Sequence, residues 1–281
     1  SRLMFQPVLP LPGVAGWRFL EATEANQRAA FDRSPALERE ITYFNEKISE
    51  ITSAEELVQD RTLRKVALGA FGLDEDLFKI AFVEKILAEG TENDDALANR
   101  FVDPRYAEFS QAFGFGDSFG PRTQEFGFGQ RITDQYRDRQ FEVAVGEVDQ
   151  NMRLALTLRR EIETYANSAT ADDTQWFRIL GSTPLRTVFE GAFNLPSAFG
   201  GLDVDQQREV LQDRTRDLFG DSSLSVFQDP EAVDTLLNRF LVRQQITEGP
   251  GPGTPGVAAL TLLQNASAPS TGLTNLILSG T

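Results

Sequence analysis

Between Arg131 and Ala169 the apolar residues fall at Phe141, Val145, Val148, Met152, Ala155, Leu158, Ile162 and Tyr165. Steps of three and four put all eight on one stripe of a helix, and charges of both signs occupy the opposite face. The stretch has no proline, so the pattern predicts one continuous helix, roughly 55 Å long at about 1.5 Å per residue. Gly146 inside it costs about 1 kcal/mol against alanine, a cost that a close helix crossing would offset.

The same periodicity runs through most of the chain. Residues 1–16 are apolar but carry three prolines and two glycines, which predicts an extended arm before a helix that starts at Trp17 and ends near Arg33. Ser34-Pro35 reads as an N-cap followed by a first-turn proline, opening a helix with Leu37, Ile41, Phe44 and Ile48 on one face. Ser53 and Glu56 have the spacing of a capping box. Leu63 to Gly90 predicts two helices broken at Gly72-Leu73, with Asp74 capping the second. Asp103-Pro104 starts a further helix ending near Phe113, and residues 203–219 form one more amphipathic helix. Between Phe113 and Gly129 lies FGFGDSFGPRTQEFGFG, a loop with Phe-Gly doublets at both ends.

Parts of the pattern occur twice. Arg39-Glu40-Ile41 recurs as Arg160-Glu161-Ile162, and Leu63-Arg64-x-Val66-x-x-Gly69-Ala70-Phe71-x-Leu73 as Leu185-Arg186-x-Val188-x-x-Gly191-Ala192-Phe193-x-Leu195. Phe101-x-Asp103-Pro104 returns as Phe227-x-Asp229-Pro230, and in this pairing Phe113 corresponds to Phe240. Order and spacing are kept, which predicts an all-α fold of two pseudo-symmetric halves from a tandem duplication, joined by the long central helix. The boundaries follow: an arm at 1–16, a first half at 17–130 with the Phe-Gly loop at 113–129, the central helix and second half at 131–247, and a Gly/Pro linker with an apolar tail at 248–281. The deepest core is predicted at Val66, Phe71, Phe78, Phe82, Leu158, Ile162, Val188, Phe193, Phe240 and Leu241.

Composition narrows the function more than the fold. The 281 residues carry a formal charge of −15, which disfavours nucleic acid and anionic membrane surfaces. There is no cysteine and no histidine, so disulfides, thiolate chemistry, Cys/His zinc sites and His-based relays are excluded. The basic residues are arginine apart from Lys47, Lys65, Lys79 and Lys85. No phosphate-binding glycine motif or EF-hand spacing occurs, and no cofactor motif is found. No run approaches the ~18 apolar residues of a membrane span, and no basic-then-apolar signal opens the chain. The expectation is synthesis in the cytoplasm, with residence there or departure by a route that uses no cleaved signal. Carboxylate pairs are inevitable among 42 acids, so none is assigned a catalytic or metal-binding role.

The opening MFQPV and GWRFL, the REITYF helix, LRKVALGAFGL followed by KILAEG, and DPRYAEFSQAFGF resemble the domain-of-unknown-function 1217 family, flagellar proteins of alphaproteobacteria. RQFEVAVGEVDQNMRLAL, LGSTPLRTVFEGAFNLP and DPEAVDTLLNRFLVR resemble that family's second half. The resemblance covers nearly all of residues 4–247. It implies an all-helical flagellar protein with no assigned activity, cofactor or catalytic residue. A non-enzymatic structural or assembly role through binding a flagellar protein is therefore expected. The alternatives are a carboxylate-only hydrolase acting on cell-wall glycan and a cytoplasmic export chaperone or regulator. Candidate contact residues are Phe5, Val8 and Leu9 in the arm, Phe115, Phe119, Phe126 and Phe128 in the loop, and Leu260, Leu262 and Leu263 in the tail.

Overall fold

The computed structural model describes residues 5–249. Twelve α-helices and no strand occur among the described residues. They are α1 (Gly13–Asp32), α2 (Pro35–Lys47), α3 (Ala54–Gln59), α4 (Arg61–Ala70), α5 (Ile80–Glu89), α6 (Arg105–Phe113), α7 (Phe128–Val148), α8 (Gln150–Ala166), α9 (Asp172–Gly181), α10 (Thr183–Ala192), α11 (Val204–Phe219) and α12 (Pro230–Glu248). Short 3₁₀ turns link several of them.

The helices gather round two apolar clusters. The first takes its side chains from α2 to α6 and the start of α7, with Phe44, Val66, Leu87, Phe109, Phe113 and Tyr136 fully enclosed. The second is built from α1, the end of α7 and α8 to α12, around Met152, Leu158, Trp176, Phe189 and Phe240. α7 belongs to both: Phe128, Ile132 and Tyr136 enter the first cluster, and Phe141 and Val145 enter the second. α1 precedes the first half in the chain, yet it packs on α12, α7 and α8 and puts Trp17 and Leu20 into the second cluster.

The continuous helix predicted from Arg131 to Ala169 is two helices. Asp149 is extended (φ −149°, ψ 109°), and its side chain accepts from the backbone N–H groups of Asn151 (2.9 Å) and Met152 (3.2 Å), so it caps α8. The chain folds back there into an antiparallel hairpin. Thr157 and Arg160 reach across to Glu142, and Arg139 to Glu161. At the closed end a Cβ on Gly146 would lie 2.5 Å from Arg153 Cδ, so the glycine permits the close approach.

Other local signals are realised with changes. The Ser53–Glu56 capping box forms in full. α1 begins at Gly13, inside the stretch expected to be extended. After α4, Asp74 opens a 3₁₀ turn and α5 starts only at Ile80. Phe78 therefore sits in a turn rather than on a buried helix face and is 78% exposed, against the predicted core position. Phe82 is only partly buried, against the edges of Phe101 and Tyr106. The other eight predicted core residues are buried.

The two clusters share one contact in detail. A Cβ on Gly69 would meet the Tyr136 ring at 2.5 Å and Gln140 at 3.1 Å; one on Gly191 would meet the Phe240 ring at 2.8 Å and Gln244 at 3.0 Å. In this contact Tyr136 takes the place in the first cluster that Phe240 has in the second. Phe113, its partner in the sequence pairing, packs instead against Phe109 and Phe128.

Candidate functional site

Two features stand apart from ordinary core and surface: a phenylalanine-bearing loop on the first cluster and a charged cleft between the clusters.

The loop is held by specific contacts. Arg122 N–H donates to the Phe113 carbonyl (2.9 Å), and the Thr123 hydroxyl to the Ile51 carbonyl (2.6 Å). Asp117 accepts from Thr91 N–H (2.9 Å), and Glu92 from Ser118 N–H (3.0 Å). A Cβ on Gly116 would fall 2.3 Å from the backbone nitrogen of Gly90, so only glycine allows that chain crossing. Within this frame the phenylalanines divide. Phe115 stacks on Phe113 against the first cluster, and Phe128 is buried as the first residue of α7. Phe119 and Phe126 point out, 93% and 102% exposed.

The N-terminal arm lies on its own body. Phe5 sets its edge against Phe31 at 6.0 Å, and Phe5 and Leu9 pack on the second cluster. The Val8 backbone exchanges two hydrogen bonds with the Gln27 side chain, of 2.8 and 3.1 Å, while the Val8 side chain is exposed. Leu260, Leu262 and Leu263 lie outside the described residues.

The cleft, about 660 Å³, opens between the Asp74–Asp76 turn and α6 on one side and α7, α8 and the start of α10 on the other. That volume suits a small-molecule site, and charged and polar side chains line most of it. Glu142 is buried, accepting from Thr157 (2.9 Å) and twice from Arg160 (2.6 and 3.0 Å). Glu161 lies 3.2 Å from both Arg139 and Arg160. Burial would lower the Arg160 guanidinium, but Glu142 and Glu161 outweigh it and hold the group above its usual range. Burial, with Arg160 beside it, pushes Arg139 down. Asp76 takes the Tyr106 hydroxyl (2.8 Å) and Lys79 (2.7 Å).

Behind Arg139 and Arg160 a smaller hollow, about 130 Å³, is lined by Glu108 and Asp138. Packed helices raise both carboxyls, with Glu161 adding to the effect at Glu108. Both residues keep much of their surface in water, which screens the effect. No group of three or more acidic side chains among the described residues is placed to hold a metal ion, and no described helix is long and apolar enough to cross a membrane. The phenylalanine loop was legible from its Phe-Gly doublets. The cleft was not, because residues far apart in the chain build it.

The molecule is an all-helical protein of two packed clusters clasped by a helical hairpin, with a phenylalanine loop on one of them. Residues 70–233 match the family described as protein of unknown function (DUF1217), and the chain belongs to that family. It is also similar to a protein from Agrobacterium tumefaciens known from its X-ray crystal structure, with 25% identity and a TM-score of 0.70, over 87% of this chain and 100% of that one. No curated protein matches the chain.

Proposed function

We propose that this chain is a non-enzymatic flagellum-associated protein, structural or assembly-related, that acts by binding a flagellar protein. The flagellar part rests on the motif resemblance. The binding part rests on one observation: Phe119 and Phe126 are bare in a loop that hydrogen bonds hold in place. Burying two such rings is worth about 3–6 kcal/mol, and a loop already ordered by its own contacts adds little ordering cost on association. Glu92, Asp117 and Glu125 belong to or flank the loop, and the whole chain is acidic. The complementary partner surface is an apolar hollow edged by lysine or arginine.

The carboxylate-only hydrolase is the weaker reading. It needs an acid and a second carboxylate facing a space that admits a sugar. In the large cleft Glu142 and Glu161 are committed to arginines, Asp76 to Lys79 and Tyr106, and Asp74 to Gln140. That leaves Glu75 without a second free carboxylate, and the hollow beside Glu108 and Asp138 is smaller than a ligand site. Binding of purified flagellar proteins to the full chain and to Phe119→Ser/Phe126→Ser tests the proposal. The double variant is expected to lose capture while keeping its fold. If no flagellar protein binds the wild type, and deleting the gene leaves swimming unchanged, the proposal fails. Fractionation into cytoplasm, periplasm and purified flagella separates an export chaperone from an exported component.

A further inference from the structure

The cleft between the clusters holds donors that the fold leaves unused. Most of its charges are matched in pairs: Glu142 with Arg160, Glu161 with Arg139, Asp76 with Lys79, and Arg105 with Asp103. Arg153 also lines the cleft, with its stem over Gly146, and makes no ion pair among the described residues. Opposite α8, the cleft is walled by the first turn of α10. That turn has no side-chain cap, although Ser182 stands at the capping position. Ser182 is 3% exposed and lines the cleft, and its hydroxyl has no hydrogen-bond partner among the described residues. The hydroxyl oxygen itself is not enclosed and opens to solvent at the cleft. Here the uncapped helix start, the hydroxyl and a spare guanidinium all open into one space.

We propose that the junction cleft binds a small anion, a carboxylate or a phosphate, seated at the start of α10 between Ser182 and Arg153. The first-turn N–H groups and the positive end of the helix dipole favour negative charge there, the Ser182 hydroxyl donates a hydrogen bond, and Arg153 supplies a charge-assisted one. Asp74 and Glu75 lie on the far wall, where Asp74 already accepts from Gln140 at 2.8 Å. Their repulsion confines the anion to the α10 end. The volume leaves room for a metabolite-sized body behind the anionic group.

Titration calorimetry on the full chain at constant ionic strength tests this, with inorganic phosphate in one arm and succinate in the other. Saturable binding is expected in at least one arm, and which arm binds distinguishes the two sources of charge. Arg153→Met should weaken binding roughly tenfold or more, and Ser182→Ala severalfold. Arg214→Met, at an exposed position on α11, should bind as the wild type does. Circular dichroism of each variant without ligand establishes that it is folded. Should Arg153→Met fail to fold, Arg153→Lys replaces it, keeping the charge without the fork, and is expected to bind more weakly than wild type. No saturable binding of either probe up to millimolar concentrations would overturn the proposal. So would unchanged binding in Ser182→Ala and the folded Arg153 variant.

Discussion

Replacing Glu142 by glutamine strikes the clasp of the α7–α8 hairpin without changing side-chain size. The carboxylate is 3% exposed and accepts three hydrogen bonds, one from Thr157 and two from Arg160. Removing one partner of a buried ion pair costs about 3–5 kcal/mol when the other is left stranded. Arg160 is not wholly stranded: Glu161 remains at 3.2 Å, and 27% of the arginine side chain meets solvent. The expected loss is therefore about 2–3 kcal/mol, which lowers the thermal midpoint by roughly 3–5 °C in a chain of this size. Denaturant unfolding of Glu142→Gln, Arg160→Gln and the double variant reads the coupling directly, and more than about 1 kcal/mol is expected. The exposed pair Arg18 and Glu21 provides the contrast, with coupling below about 1 kcal/mol. A Glu142→Gln protein as stable as wild type, with no coupling to Arg160, would show that the hairpin is held by its apolar stripe alone.

Gly69→Ala and Gly191→Ala should each cost about 1–3 kcal/mol by urea unfolding, because their Cβ atoms would press on Tyr136 and Phe240; Gly201→Ala, with nothing within 4 Å, should cost almost nothing. Phe119→Ser/Phe126→Ser should keep its stability within about 0.5 kcal/mol of wild type and bind less of a hydrophobic dye. Burial pushes the Glu24 carboxyl up, but hydrogen bonds from Arg159 and Arg28 outweigh it and leave it below its ordinary value of 4.5. The stability it contributes is present above that value and lost as pH falls through the lower folded one. Glu24→Gln should thus melt below wild type at pH 7, and the gap should close as the pH drops under 4.5.

Local grammar was the most legible part of the sequence. Ser53 and Glu56 declared their capping box, and Gly90, at φ +69°, ends α5 as its position implied. The break at Asp149 was hidden because Val145, Val148 and Met152 continue the three–four stepping across it. Both arms of the hairpin turn their apolar stripes to one core, so the phase survives the fold-back. The only local mark of the break is Asp149 itself, a residue type that caps helices. Phe78 misled in the opposite way: its spacing to Phe82 suits a helix, but the backbone there is a turn. Alternating phenylalanine and glycine could not say which rings point out. That is settled by distant partners, such as the contact of Thr123 with Ile51. The cleft was illegible for the same reason, since Arg153, Ser182 and Tyr106 come together only after the clusters dock. A tandem duplication is still our proposal: the glycine contacts pair α4 and α7 with α10 and α12, whereas the repeated Phe-x-Asp-Pro motif pairs the start of α6 with that of α12.

The position of α1 bears on how the protein is made. This helix is finished early in synthesis, yet it packs on α12, the last of the described helices, where Gln245 sits over Gly13. At about 5–20 residues per second the ribosome needs roughly 10–45 seconds to travel from one to the other. During that interval Trp17 and Leu20, buried in the finished protein, can reach α7 and α8 but lack the wall that α12 adds. Until α12 is made, the nascent chain thus carries an amphipathic helix whose apolar face is only partly covered. The first of the described helices is completed only by the last, and a factor that captured it on the ribosome would hold the second cluster open.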